Sequence, residues 1–160
     1  MLVFSPGAYS ISVDTPTART PGVAVLSDAP QKAVPVDLQT EPTQEFVDVV
    51  QDRVDEFLAS CATQQVLQPT GCPFGYFVRN RVEGVPQWSI AQNPEIEVVP
   101  DGAQWAIPST RAVAHIDVDI RSIYDGRLNE VSEDVEFFLT GSITILPDGT
   151  ASIQVSADQG

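Results

Sequence analysis

Basic side chains, histidine and cysteine are all scarce in this 160-residue chain: eight Lys and Arg, one His and two Cys, against 22 Asp and Glu. The formal charge of −14 excludes partners that are bound through phosphate neutralisation. Nucleic acid and anionic lipid surfaces are repelled. One histidine, His115, and two cysteines, Cys61 and Cys72, cannot supply four zinc ligands without recruiting a carboxylate. No apolar run approaches the roughly 18 residues of a membrane span, so this segment is not expected to touch a membrane directly. The opening MLVFSPGAYS has neither the basic stretch nor the apolar core of a secretory leader. If the domain is exported, its signal or anchor is therefore expected upstream of this soluble piece. No glycine-rich phosphate loop joins a strand to a helix, which leaves nucleotide cofactors without support and no cofactor expected.

What is present is a folding sequence. Hydrophobic residues make up 42% of the chain, too many for disorder of the whole. The acidity reads as a solvated, self-repelling surface.

The two cysteines bracket CATQQVLQPTGC. Their separation rules out the C-x-x-C redox spacing. A structural disulfide Cys61–Cys72 is the favoured reading over two free thiols and over a metal knuckle. Disulfides persist in oxidising compartments, so this reading places the domain outside the cytoplasm. Pro69, Gly71 and Pro73 keep the ring out of regular structure, which explains the use of a staple.

Residues 1–40 read as a small β module with four short strand candidates: LVF, AYSISV, VAVL and AVPVDL, the first two separated from the others by the turn-rich DTPTARTPG. Residues 41–157 read as a second domain. In TEPTQEFVDVVQDRVDEFLASCA, apolar Phe46, Val50, Val54, Phe57, Leu58 and Cys61 form one stripe at helical spacing. Thr40 or Thr43 can cap its start. After the ring, YFV, QWSI, EIEVV and QWAI are short strand candidates, and RAVAHIDVDIRSI is a long one. Further alternation runs through Val135, Phe137 and Leu139 to Ile143 and Ile145, and LPDGTAS turns into a final SIQV strand. These connections are too short for crossover helices, so the sheet is expected to be antiparallel. The fold class is α+β: a long N-terminal helix packed on a curved antiparallel sheet, preceded by the small β module.

SPGAYSISV resembles the PG-x-Y strand that opens the extracellular region of actinobacterial single-pass membrane proteins, some of which carry a cytoplasmic zinc ribbon. CATQQVLQPTGCPFG resembles their helix end and cysteine ring, and EFFLTGSITILPDGTASIQV their last hairpin. The resemblance implies a cystatin-like or NTF2-like cone for the C-terminal part and an extracytoplasmic, membrane-anchored location. It implies no activity.

His115, Asp117 and Asp119 alternate onto one strand face in AHIDVDIR, where an acid can orient an imidazole. The bland reading, a polar outer face balanced by Arg121, is favoured over catalysis or metal binding. Asp125, Glu130, Glu133, Asp134 and Glu136 crowd DGRLNEVSEDVE, but the calcium loop signature is absent and a solvated acidic loop is favoured. Trp88 and Trp105 are expected to fill the space between sheet and helix, while Phe74, Tyr76 and Phe77 enter with the alternative of an open pocket. Trp88, Trp105, Phe74 and Tyr76 are also the candidate lining of an open pocket. Two functions remain. The first is a non-enzymatic extracytoplasmic domain for ligand sensing, envelope interaction or spacing, with a protein or cell-envelope component as partner. The second is an enzyme or small-ligand binder using the open end of a cone.

Overall fold

The computed structural model describes residue 3 and residues 6–158. The chain separates into two compact units, with the division between Val47 and Asp48, inside the helix rather than ahead of it.

The first unit carries β1 (Gly7–Ile11), β2 (Ala18–Arg19), β3 (Val23–Ser27) and β4 (Glu41–Pro42). β1 and β3 pair antiparallel from Gly7 opposite Ser27 to Ile11 opposite Val23. β2 pairs with β4, so the turn-rich DTPTARTPG contains a short strand that its composition hides. AVPVDL, expected as a strand, forms none, and Pro35 at its centre has no N–H to offer a ladder. LVF lies, apart from Val3, outside the described residues.

Helix α1 spans Gln44–Ala62. Thr43 caps it: the Phe46 amide donates to the Thr43 hydroxyl at 3.3 Å, and that hydroxyl donates to the Pro16 carbonyl at 2.5 Å. Phe46, Val50, Val54, Leu58 and Cys61 are buried as the helical stripe requires. Phe57 is the exception. It is only half-buried and lies beside the stripe, since Leu58 already occupies the inward position on that turn.

The second unit packs α1 against a strongly curled antiparallel sheet. Its strands are β5 (Arg81–Gln92), β6 (Val99–Asp101), β7 (Gln104–Arg121), β8 (Leu128–Ile145) and β9 (Ala151–Ala157). Their order is β5-β7-β8-β9, with β6 on β7. QWAI and RAVAHIDVDIRSI are thus one strand of 18 residues, continuous through Pro108. The join is a bulge: Ile107 pairs with Gly141 and Thr110 with Leu139, so β7 holds one residue more than β8 at this point. The extra residue reverses which side chains face inward. Trp105 and Ile107 are buried before it, and Ala112, Ala114, Ile116, Val118 and Ile120 after it. β8 keeps one parity throughout, with Phe137, Leu139 and Ile143 buried. Gly141 sits opposite the bulge, where a Cβ would stand 2.8 Å from the Gln154 carbonyl oxygen.

β5 starts earlier than QWSI suggests, because Gly84, Val85 and Pro86 form an irregularity between the Glu83 and Gln87 pairs. EIEVV is extended but joins the sheet only from Val99. Its backbone is held from the helix instead. The Gln51 amide accepts from the Ile96 N–H at 2.9 Å and donates to the Pro94 carbonyl at 2.9 Å. YFV forms no strand either; residues 63–78 run as a strap after the helix. The hairpin after β8 is closed by Leu146 and Thr150, with Gly149 at φ 84°.

Leu58 is fully buried, so Leu58→Ala should cost about 2–5 kcal/mol in denaturant melts. Half-buried Phe57→Ala should cost clearly less than the roughly 3–5 kcal/mol of an emptied aromatic core site. Equal losses from the two variants would contradict this orientation of α1.

Candidate functional site

In the second unit, the places that could carry function are the inner face of the sheet, its polar outer face, and the hollows along α1. Another hollow lies beside Pro108–Arg111 of β7, and a further one, in the first unit, is lined by Tyr9, Ile11, Val25 and Val36. The inner face is occupied. Trp88 of β5, Ile116 of β7 and Glu133 of β8 lie side by side across the sheet, and the strap crosses above this row. The Phe74 ring stacks between Trp88, 4.9 Å between centroids, and Phe137 at 5.2 Å. The Trp88 indole N–H donates to the Val66 carbonyl at 2.7 Å, and the Tyr76 amide donates to the Leu67 carbonyl at 2.7 Å. The Tyr76 hydroxyl donates to Glu133 Oε2 at 2.9 Å. Burial, then the hydrogen bond to Glu133 and its charge, push the phenol pKa upward, so Tyr76 stays a neutral donor at physiological pH.

The cysteine ring fastens this strap. Cys61 and Cys72 form a disulfide with Cα atoms 5.8 Å apart. Inside the ring the Gln64 side chain accepts from the Thr70 N–H at 2.9 Å and donates to the Thr70 carbonyl at 3.2 Å. Of the four residues expected around an opening, Phe74, Trp88 and Trp105 are buried and Tyr76 is half-buried. Phe74, Tyr76 and Trp88 gather at the strap. Trp105 is separate, beyond the bulge, opposite Ile143 and Pro100. Phe77 points away and is 75% exposed.

The outer face brings together more than the sequence suggested. His115 Nδ1 lies 2.6 Å from Asp134 Oδ1, and Nε2 lies 3.1 Å from Ser132 Oγ. Asp117 Oδ1 is 3.5 Å from the same Nε2. Ser132 and Asp134 were not foreseen as partners, because only the β7–β8 register, with His115 opposite Asp134, sets them there. The order Asp134–His115–Ser132 follows the hydrogen-bond order of an acid–base–nucleophile relay. Its electrostatics favour the charged imidazole. The Asp134 hydrogen bond, assisted by the charges of Asp117 and Asp134, raises the imidazole pKa against a smaller opposing effect of burial. In its charged form the imidazole carries a proton on Nε2 and cannot accept one from Ser132. The cluster is a polar clip between two acid-bearing strands, made by the contacts of His115 with Asp134 and Ser132.

Asp119 lies beside Glu83 and Glu130 in the ladder, and Arg121 binds Glu83 at 2.7 Å. Arg111 binds Glu136. The acidic residues of DGRLNEVSEDVE do not converge. Asp125 caps the turn by accepting from the Arg127 N–H at 3.2 Å, while Glu130, Asp134 and Glu136 share one face of β8 and Glu133 the other. Among the described residues, no group of three or more His, Cys, Asp or Glu side chains is arranged to hold a metal ion. β9 covers β8 only from Leu139 onward, so the acid-rich half of β8 has an open edge. Charges there discourage strand addition, a structural reason for the acidic run.

Two shallow hollows flank α1. One is lined by Asp52, Asp55, Glu56, Ile90 and Asn93. The other is lined by Arg53, Glu56 and Phe57 of the helix and Ala151, Ile153 and Val155 of β9.

No family model matches this chain, and no curated protein and no solved structure matches it either.

As the only histidine, His115 can be followed directly by NMR titration. Its midpoint should lie above the ordinary value of about 6.5 and fall in Asp134→Asn. The stability that the clip contributes should be fully present below the unfolded value and lost as pH rises through the raised folded one. A midpoint unmoved by Asp134→Asn would dissolve the clip.

Proposed function

We propose that this chain is a non-enzymatic extracytoplasmic domain of a membrane-anchored protein, acting through its surface in envelope interaction, ligand sensing or spacing. The observation that carries the reading is the disulfide-fastened strap. Cys61–Cys72 suits an oxidising compartment, and the strap it secures fills the inner face with Phe74 against Trp88 and Phe137. A domain that closes its own concavity with aromatic side chains presents its surface for recognition. The cystatin-like or NTF2-like description fits a helix against a curled sheet, with the interior used for packing. The resemblance of the opening strand, the cysteine ring and the last hairpin to the extracellular region of actinobacterial single-pass proteins supports the same location. No helix among the described residues is long and apolar enough to cross a membrane, so attachment belongs to a segment outside the described residues. Protein or cell-envelope components are the partners that suit an acidic surface of this kind.

The test is made in intact cells of the source organism. Acid quenching followed by thiol alkylation and mass spectrometry should find Cys61 and Cys72 joined. A membrane-impermeant amine label should also reach Lys32, the one lysine of the sequence, whose side chain is 57% exposed. A fully reduced pair in label-protected protein would overturn the location. In purified protein, Cys61→Ala/Cys72→Ala should cost about 2–5 kcal/mol of stability.

A further inference from the structure

The two edges of the large sheet are built differently. The β5 edge is interrupted by Gly84, Val85 and Pro86 and carries Arg81 and Glu83. Proline, bulges and charge are the standard protections of a strand edge. The open half of β8 is guarded by Glu130, Glu133, Asp134 and Glu136. β9 has no such device. It pairs with β8 alone, and its seven residues, ASIQVSA, include no charge, proline or glycine.

That sequence has a further property: read backwards it is nearly itself. Ala151 and Ala157 are at the ends, Ser152 and Ser156 inside them, then Ile153 and Val155, with Gln154 at the centre. An antiparallel pair of identical strands related by a two-fold axis through Gln154 would place each residue opposite its own kind. Two-fold interfaces require this self-complementarity. Directly opposed Ser–Ser and β-branched pairs are favourable cross-strand neighbours.

We propose that β9 is a self-association edge, on which a second copy of this chain pairs antiparallel about Gln154 to give one continuous sheet across both copies. Charge selects this occupant and this site. Two chains of −14 each repel, and an uncharged strand is where they can meet without opposing acids. Alternation sorts the contacts. Ile153 and Val155 lie on the inner side, beside half-buried Phe57 in the hollow between α1 and β9. The second copy extends that apolar floor. Arg53 and Glu56, paired at 3.0 Å on the same rim, give it a balanced border. Gln154 is on the outer side and exposed, so it faces its counterpart across the axis. Because the remaining repulsion is screened by salt, higher ionic strength should favour the pair.

Sedimentation equilibrium of the full chain tests this. The wild type should dimerise with concentration, more strongly in added salt. Gln154→Glu and Gln154→Lys should each weaken the dimer by about tenfold or more, because either charge meets itself on a two-fold axis. An equimolar mixture of the two variants should recover the dimer. Both variants should melt like the wild type when dilute, since the residue is exposed. The disulfide leaves no free cysteine, so Gln154→Cys should cross-link to itself under mild oxidation faster than the exposed control Tyr124→Cys. A wild type monomeric at all concentrations and salts overturns the proposal. So do opposite effects of Glu and Lys, which would mean that β9 meets a different, charged segment of the other copy and not its own counterpart. Cross-linking of Gln154→Cys no faster than the control also overturns it.

Discussion

Two strands of 18 residues can bury one face of a sheet only while their apolar side chains stay in phase, and β7 keeps phase with a single extra residue at Pro108–Ser109. Without it, either Trp105 and Ile107 or the series Ala112 to Ile120 would face water. Burial of such side chains is worth roughly 1.5–3 kcal/mol each for the larger ones, so no other local feature decides as much. Proline is well suited to the position because a bulge residue can dispense with a ladder N–H. Thr140 closes the irregularity by donating to the Ile107 carbonyl at 2.9 Å. Gly141, across the ladder, leaves room for the Ile107 side chain and the Gln154 carbonyl.

Around this frame, side-chain amides do work that backbone ladders usually do. Gln51 binds an N–H and a carbonyl of the extended segment before β6, and Gln64 does the same for Thr70 inside the ring. Each amide offers two N–H donors and a carbonyl acceptor, so a single glutamine satisfies a stretch of backbone that has no neighbouring strand. Among the described residues no buried side-chain nitrogen or oxygen lacks a partner. The outer face follows a different rule. Arg111 pairs with Glu136, His115 with Asp134 and Arg121 with Glu83, and each pair joins neighbouring strands that carry acids.

Elements with strong local signals were legible in the sequence. The helix cap at Thr43, the stripe through Val50, Val54 and Leu58, the Gly149 turn and the antiparallel sheet all follow from residues near one another in the chain. The misread segments depend on distant partners. EIEVV alternates like a strand, and only Gln51, from the helix, reveals why it is extended without a full ladder. Arg81 to Pro86 lies outside the QWSI strand expected from the sequence, and β5 nevertheless runs through its glycine and proline. Phe57 and Leu58 both fit a helical stripe, and the sheet admits only the second. At the candidate site, His115 and Asp117 share a face by simple alternation. Ser132 and Asp134 join them through pairing register, which a single sequence does not display.

The bulge also has a consequence for how the chain reaches its fold. β7 and β8 are joined by the short turn after Arg121, so their pairing can close stepwise from Arg121 opposite Leu128, each step adding little loop entropy. Local closure of this kind favours rapid folding for a sheet. Every pair up to Thr110 opposite Leu139 forms in one uniform register, and nothing in that run anticipates the change. A ribbon that zips past this point without the extra residue continues to gain backbone hydrogen bonds while turning Trp105 and Ile107 outward. Such a ribbon would bury less apolar surface than the native one, and correcting it would require unzipping only the distal end, back to Thr110.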